Sequence, residues 1–552
     1  MIKQIILIIL LANIVFAQWS TTPENPLQIT DWGHIGDACT DGDGGIFIAI
    51  QAPLAYPPWV QTLWVQRVDK YGNIKWDYPQ RIEGHDITIG YNTTKIIKSE
   101  KGSAIVVYSE AVDTIGFLPA PTYQPVFRYH IYANKIDSLG NLLWGEKGIK
   151  IIEVDTAQAE NFTAVADDDG GVYVSYNSNL TYKYNSTDKD TIKSYLQHIS
   201  KNGEKLFDGG GRLLYEGVYN SGASSQYLSK RNPDGIFLAY YKDQNYTTAI
   251  IESINRDETI EWRIISPRIL SGITSDVKGG GAWSIVRYMD SIYNVVAYRI
   301  DENGNLTWGE DGIVVYKDVS WNSFAQHLEF TDNEKLFVPF GSRYQIIESS
   351  GDLFFPNGGE NISNDLNPIY AHGIINNIVV WKKTITDSSI GFATKVNSLG
   401  EKEWEALYSL ALPNGGYEIS DGAGGIIAYW ENHGVFLQQI NKYGELGKVV
   451  TNVKEGNNLV FPKFELQQNY PNPFNRSTII RYEIGGTGQK IQNVKLVVYN
   501  ILGQEVAVLF SKEQKSGNYE VKFDASNLPS GIYYIQLIVS NKNKIIKSIY
   551  LK

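Results

Sequence analysis

An all-β chain is what this sequence predicts: hairpin repeats closing into a β-propeller of eight blades, with seven as the alternative, then a small antiparallel Ig-like β-sandwich. Three observations predict it. The 552 residues include 51 Gly, 36 Tyr and 13 Trp but only two Met and one Cys, a balance that favours strands and tight turns. One short hairpin phrase recurs eight times between residues 68 and 444. The last 90 or so residues alternate apolar and polar positions in six or seven short runs separated by turn formers.

Composition sets the outer limits. With 43% hydrophobic and 20% charged residues the chain can bury large cores and is not wholly disordered. The net charge of −11 argues against a nucleic-acid partner, because phosphate binding needs clustered Lys and Arg. A single cysteine, Cys39, forbids an intrachain disulfide and a thiolate zinc site.

Residues 1–17 read as a secretory signal peptide. Lys3 supplies the positive start, Ile5 to Phe16 the apolar run, and Val15 and Ala17 the small-residue positions before a cut after Ala17. The run is short for a membrane-spanning helix. No later stretch reaches 18 apolar residues, so no integral helical segment is expected in the mature chain.

The expected propeller spans 18–457. Its phrase is a β-branched residue, a turn-capping polar residue, usually Gly three positions later, and an aromatic four further on. The aromatics are Trp76, Trp144, Phe207, Trp262, Trp308, Phe355 and Trp404; in the eighth copy Lys448 takes the place. The turn glycines are Gly72, Gly140, Gly203, Gly304, Gly351, Gly400 and Gly444, with Glu258 as the exception. Asp or Asn caps such a turn through its side chain, and Gly supplies the left-handed residue that closes it. The regular recurrence assigns the aromatics to packing between blades. Looser phrases such as Asp43-Gly44-Gly45 and Asp169-Gly170-Gly171 precede each hairpin, and strands such as Ile313-Val314-Val315 follow it. The later turn-to-turn intervals, 44 to 49 residues, suit four-stranded blades, and the longer early ones need insertions such as Asp113 to Pro125. Leu27 to Thr30 falls in phase with the last strand of other units. It is expected to complete the eighth blade and remove two open edges. The phrasing resembles the Trp-bearing repeats of secreted bacterial β-propellers.

A linker at 458–462 leads to the second domain, 463–552. It carries 12 Lys and Arg against 6 Asp and Glu, a net of +6, which leaves −17 on the remainder. It opens with Asn469, Tyr470, Pro471, Asn472, Pro473, Phe474 and Asn475, where two prolines fix a turn. Val498 to Val506, with Gly503, forms a hairpin, and Ser530-Gly531-Ile532-Tyr533-Tyr534 starts a later strand. These motifs, in this order, closely resemble the type A C-terminal sorting domain of the type IX secretion system of Bacteroidota and their relatives. One departure is Arg476, where the family often has another Pro. The resemblance implies export by the signal peptide, then passage of folded cargo through the type IX translocon. It further implies handling by a sortase-like peptidase and a secreted or cell-surface destination.

Chemistry is sparse. The seven His (34, 85, 130, 198, 327, 372, 433) form no His-Glu-x-x-His or His-x-His pair, and each reads as a loop or strand-end residue. No nucleophile elbow, Walker A or dinucleotide fingerprint occurs. Asp41-Gly42-Asp43 and Asp167-Asp168-Asp169 could gather around Ca²⁺, yet they lack EF-hand and sialidase Asp-box spacing and are ordinary turn formers. Neither a catalytic nor a metal residue is assigned, and no cofactor is expected. Off-register aromatics, Trp59, Trp64, Tyr123 and Trp321, are the ligand candidates. The expected function is a non-catalytic module binding an extracellular protein or glycan. The alternatives are a polysaccharide hydrolase or lyase and a structural envelope protein.

Overall fold

The computed structural model describes residues 19–53, 60–88, 94–117, 125–152, 158–179, 191–218, 227–233, 235–241, 248–267, 273–289, 291–319, 328–331, 334–356, 358–363, 369–385, 388–409, 416–447, 465–466, 469, 471–484, 492–500, 504–515, 517–539 and 542–552. They form strands and turns without a helix. Two compact units divide the chain, Met1–Val450 and Thr451–Lys552. The expected signal peptide lies outside the described residues, as does the expected linker at 458–462.

The N-terminal unit consists of four-stranded antiparallel sheets, one per repeat. Repeat 1 runs through His34–Thr40, Ile46–Pro53, Val60–Val68 and Gln80–Thr88, paired in chain order. Repeats 2 to 7 follow the same plan over 94–150, 158–218, 227–267, 274–316, 329–361 and 369–409. The repeats containing Glu258 and Gly351 each keep a sheet of their own. Repeat 8 takes three strands from 417–440 and its fourth from the other end of the chain. Leu27–Thr30 pairs antiparallel with Val435–Ile440, with Leu27 opposite Leu437. The early insertion is a lengthened hairpin, Ala104–Phe117 against Pro125–Ile136.

The turn of repeat 1 shows the chemistry of the phrase. Asp69 Oδ1 accepts the N–H groups of Tyr71 and Asn73 at 2.9 and 3.0 Å, and Gly72 lies at φ +83°. The same pair of bonds recurs at Asp137, Asp301, Asn397 and Asn441. The first-to-second-strand turns repeat it: Asp41, Asp167, Asp276 and Asp421 each cap two N–H groups through Oδ1.

The cores lie between repeats, not within them. In the second strand of repeat 1, Phe47 and Ala49 face a cluster shared with Ile96, Val106 and Tyr108 of repeat 2. Ile46, Ile48 and Ile50, on the other face, join Ile427, Tyr429, Val435 and Leu437 of repeat 8. From Ile46 to Ile50 the strand is continuously apolar because both faces are covered. Equivalent clusters join repeats 2 to 3, 3 to 4, 4 to 5, 5 to 6, 6 to 7 and 7 to 8. The first strand of repeat 8 also lies against that of repeat 1.

The C-terminal unit has two antiparallel sheets. One orders Glu465–Leu466, Ser477–Ile484 and Gly517–Asp524; the other orders Glu505–Gln514, Gln492–Asn500, Gly531–Val539 and Lys542–Tyr550. Ile480, Tyr482 and Phe523 of the first share one core with Leu496, Val498, Ile535 and Leu537 of the second.

Candidate functional site

In the C-terminal unit the Asn-rich opening grips the last strand. Asn472 Oδ1 accepts the Ile549 N–H at 2.8 Å, and its Nδ2 donates to the Lys547 carbonyl at 3.2 Å. Phe474 continues the grip: its N–H donates to Ile549 O, and its carbonyl accepts from Leu551 N, both at 2.9 Å. Its ring packs on Phe523 and Tyr550. Buried Asn469 donates to the Pro471 carbonyl and to Thr478 Oγ1 and so holds the turn from inside. The Asn475 carbonyl accepts from Ser477 N. Tyr533 Oη donates to Pro529 O at 2.7 Å, and Gly531 opens the strand on which Tyr533 lies. Tyr470 and Gly503 lie outside the described residues. Arg476 sits at φ +62°, which a proline locked near −65° cannot adopt.

The repeat aromatics meet the following repeat. The indole N–H groups of Trp76, Trp144, Trp262, Trp308 and Trp404 donate to Ser138, Lys201, Glu302, Ser349 and Lys442 at 2.9 to 3.3 Å. Each acceptor is the second residue of the next repeat's turn, and each ring covers that turn's glycine. Phe355 covers Gly400, where Tyr344 Oη supplies a bond to the glycine carbonyl at 2.9 Å.

The turn that follows Phe207 is the one with Glu258 in place of glycine, at φ +65°. Glu258 Oε1 meets His198 Nδ1 at 2.6 Å, and Asp167 Oδ2 meets His198 Nε2 at 2.9 Å, with the ring stacked on Tyr173. This looks like a catalytic constellation, but its position is structural. The residue before the β-branched one bridges repeats elsewhere too: Lys135 of repeat 2 donates to the Gly170 and Lys201 carbonyls of repeat 3, and Arg299 joins Asp276 to the Glu334 carbonyl of repeat 6. The Asp168 and Asp169 carboxylates pair with Lys230 and Arg256 of repeat 4, and Asp43 pairs with Lys101 of repeat 2. Among the described residues no group of three His, Cys, Asp or Glu side chains is set to hold a metal ion.

The remaining histidines are scattered. His34 contacts Glu431 at 3.1 Å, and His433 lies in a turn at φ +51°. Three histidines are neither loop nor strand-end residues: His85 and His372 lie within the strands Gln80–Thr88 and Ile369–Ile375, and His130 is buried within Pro125–Ile136, where both faces of the long hairpin strand are covered near its middle. His327 lies outside the described residues.

Two carboxyl groups stand apart, on adjacent first strands. Asp37 of repeat 1 accepts the Ile96 N–H at 3.0 Å and lies 3.9 Å from Lys95 Nζ; burial outweighs both and raises its carboxyl. Burial pushes Glu418 of repeat 8 up to about 8. Both bear on Tyr429, whose ring stacks on Tyr417 with centroids 5.5 Å apart. Carboxyl groups raised by burial mark functional sites more often than chance, although structural networks also produce them. Sequence reading missed them because nothing local distinguishes Asp37 or Glu418 from other acidic residues.

Of the ligand candidates, Trp64 is described. It forms a three-ring cluster with Trp32 and the half-exposed Tyr78, centroids 5.5 to 5.9 Å apart. Trp59, Tyr123 and Trp321 lie outside the described residues.

Residues 468–552 match the family model of the secretion system C-terminal sorting domain. The C-terminal unit is thus a type IX secretion sorting domain, and the protein is secreted or carried at the cell surface. No curated protein matches the chain. Among solved structures, an ulvan lyase of a polysaccharide lyase family is 10% identical, over 78% of this chain and 96% of that one, with a TM-score of 0.34. The sialidase of Trypanosoma rangeli is 8% identical, over 96% and 88%, with a TM-score of 0.31. An endo-arabinase of Bacteroides thetaiotaomicron is 10% identical, over 58% and 92%, with a TM-score of 0.25. Similarity at this level says nothing of chemistry.

Proposed function

We propose that the N-terminal unit is an eight-bladed β-propeller, exported by a signal peptide at 1–17 and the type IX route, that binds an extracellular protein or glycan without catalysis. The observation that carries this reading is the use made of polar side chains at the tight-turn end. The Asp41, Asp167, Asp276 and Asp421 carboxylates are committed to capping turns or bridging repeats. Eight inter-repeat cores, with repeat 8 packed on repeat 1, support the closed ring. The Trp32–Trp64–Tyr78 cluster offers ring faces of the kind that stack on sugars. On this reading a sortase-like peptidase removes the C-terminal unit after translocation.

A polysaccharide hydrolase or lyase is the second reading, favoured by the raised carboxyls of Asp37 and Glu418 beside Tyr429. One experiment separates them. The purified protein is run on a polysaccharide array with reducing-sugar and unsaturated-product detection on the same spots. Binding without product, weakened in Trp32→Ala or Tyr78→Ala, is expected. Product formation that disappears in Glu418→Gln would establish the enzyme instead. Export is tested by deleting 463–552: unchanged surface or medium localisation would sink the assigned route.

A further inference from the structure

The eighth inter-repeat contact is made by a residue from the opposite end of the chain. Repeat 8 carries Lys448 where the other repeats carry an aromatic. The turn it ought to cover, Asp69–Gly72 of repeat 1, is instead met by Trp19. The Trp19 indole donates to Lys70 O at 2.9 Å, and Lys70 is the second residue of its turn, as in the other five indole contacts. The ring is 2% exposed and belongs to the core shared by repeats 8 and 1.

Two further contacts show that the place is built for this segment. In repeats 1, 3 and 6 a glutamine two residues before the β-branched position holds the carbonyl of the repeat aromatic: Gln66 to Trp76, Gln197 to Phe207 and Gln345 to Phe355, at 2.7 to 3.1 Å. The matching residue of repeat 8, Gln438, donates at 2.6 Å to the carbonyl of Ser20, next to Trp19. Gly447, at φ +65°, lies so close to the Trp19 and Ser20 carbonyls that a Cβ would collide with both. The last turn of repeat 8 is shaped around the incoming N-terminus.

We propose that Trp19 is a latch that locks the seam of the ring, and that cleavage of the leader after Ala17 sets it free to engage. This rests on the closed-ring and signal-peptide readings above. Only Ala17 and Gln18 lie between Phe16, the end of the apolar run, and Trp19, three chain steps that reach at most about 11 Å when extended. While the leader stays in a bilayer, Trp19 is tethered at the membrane surface. It must nevertheless be buried beneath the Lys70 turn for the seam to close. Leader removal and ring closure thereby become one maturation step, and the precursor keeps an open seam during translocation.

The test compares hydrogen exchange at the seam (27–30 and 435–440) with that of repeat 4 (248–254) in the full-length protein. Five forms are needed: the chain beginning at Gln18, its Trp19→Ala and Trp19→Phe variants, and chains with either a 17-residue Gly/Ser extension or the intact leader. The last is reconstituted in phosphatidylethanolamine/phosphatidylglycerol vesicles. The expected result is a seam protected in the Gln18 and Gly/Ser forms. It opens about tenfold or more in the leader-bearing and Trp19→Ala forms, with repeat 4 unchanged. Trp19→Phe, which keeps the ring, falls between. Should Trp19→Ala leave the seam as protected as wild type, the latch is wrong; should the leader-bearing form match the Gln18 form, the coupling to cleavage is wrong. N-terminal mass analysis of the exported protein separates the premise, since a start other than Gln18 defeats the leader reading and leaves the Trp19→Ala result standing.

Discussion

Asn472 binds Ile549 as a neighbouring strand would, accepting its N–H at 2.8 Å while reaching the Lys547 carbonyl with its own amide. The motif that opens the sorting domain is therefore the clamp on the strand that ends it. Sequence motifs 75 or so residues apart are two halves of one contact.

Asn472→Ala removes both bonds to the final strand. A cost of about 1–2 kcal/mol to the C-terminal unit is expected. Hydrogen exchange of Ile549 and Leu551 in the purified protein reads it directly. Accelerated exchange there, with the repeats unaffected, is the expected pattern, and Asn472→Asp, which keeps the acceptor, should show less. Unchanged exchange at both amides would refute the clamp.

The repeat aromatics act through a ring and, in the tryptophans, an N–H. Trp308→Phe keeps the ring and loses the bond to Ser349, so about 0.5–1.5 kcal/mol is expected. Trp308→Ala also empties a buried site and should cost about 3–5 kcal/mol. Urea midpoints measure both. Equal losses would mean that the hydrogen bond, not packing, carries the contact.

Two glycines separate crowding from conformation. A Cβ on Gly171 would strike the Ile199 carbonyl and the Asp167 carboxylate, neither free to move without breaking the sheet or the turn cap. Gly145, at φ +83°, has open space around it. Gly171→Ala should approach about 3 kcal/mol of destabilisation, whereas Gly145→Ala should lose about 1 kcal/mol from backbone strain alone. Denaturant titrations showing Gly145→Ala the more damaging would overturn the assignment.

The pH response has two opposite components. Glu418 titrates near 8 in the fold against an ordinary 4.5, so the native state holds its proton. Its penalty starts as pH rises through 4.5, grows to about 8 and is constant above. Glu418→Gln should raise the melting temperature at pH 9 and change little at pH 4. Asp69, Asp137 and Asp301 behave in reverse. Burial opposes their ionisation, but amide donors from Asn73, Asn141 and Asn305 and from backbone N–H groups prevail and hold them below the ordinary range. Their contribution is present above the ordinary range and is lost as pH falls through their lowered values. No gain for Glu418→Gln at alkaline pH would show that water reaches the ionised group freely.

Turn chemistry made much of this architecture legible. Asp69, Asp137 and Asp301 advertise their turns because capping residue and glycine lie within one short phrase. Leu27–Thr30 could be assigned to the last sheet because the repeat phase was one strand short. Trp19 was invisible to the same reading, since its equivalence to Trp76 or Trp308 exists only after it meets Lys70 and the last turn of repeat 8 at one seam. The exchange of a glycine for Glu258 likewise made no sense until His198, sixty residues earlier, was seen to meet it. Asp37 and Glu418 lie nearly 400 residues apart, and no local pattern could pair them.

The approach of Gly447 to the carbonyls of Trp19 and Ser20 has a topological consequence. The two ends of the N-terminal unit's repeats meet at one point, so where the chain starts is not fixed by packing. A short linker from Gly447 to Trp19, with new ends cut between Gly145 and Gly148, should yield a circular permutant with the same sheets and with the seam made continuous.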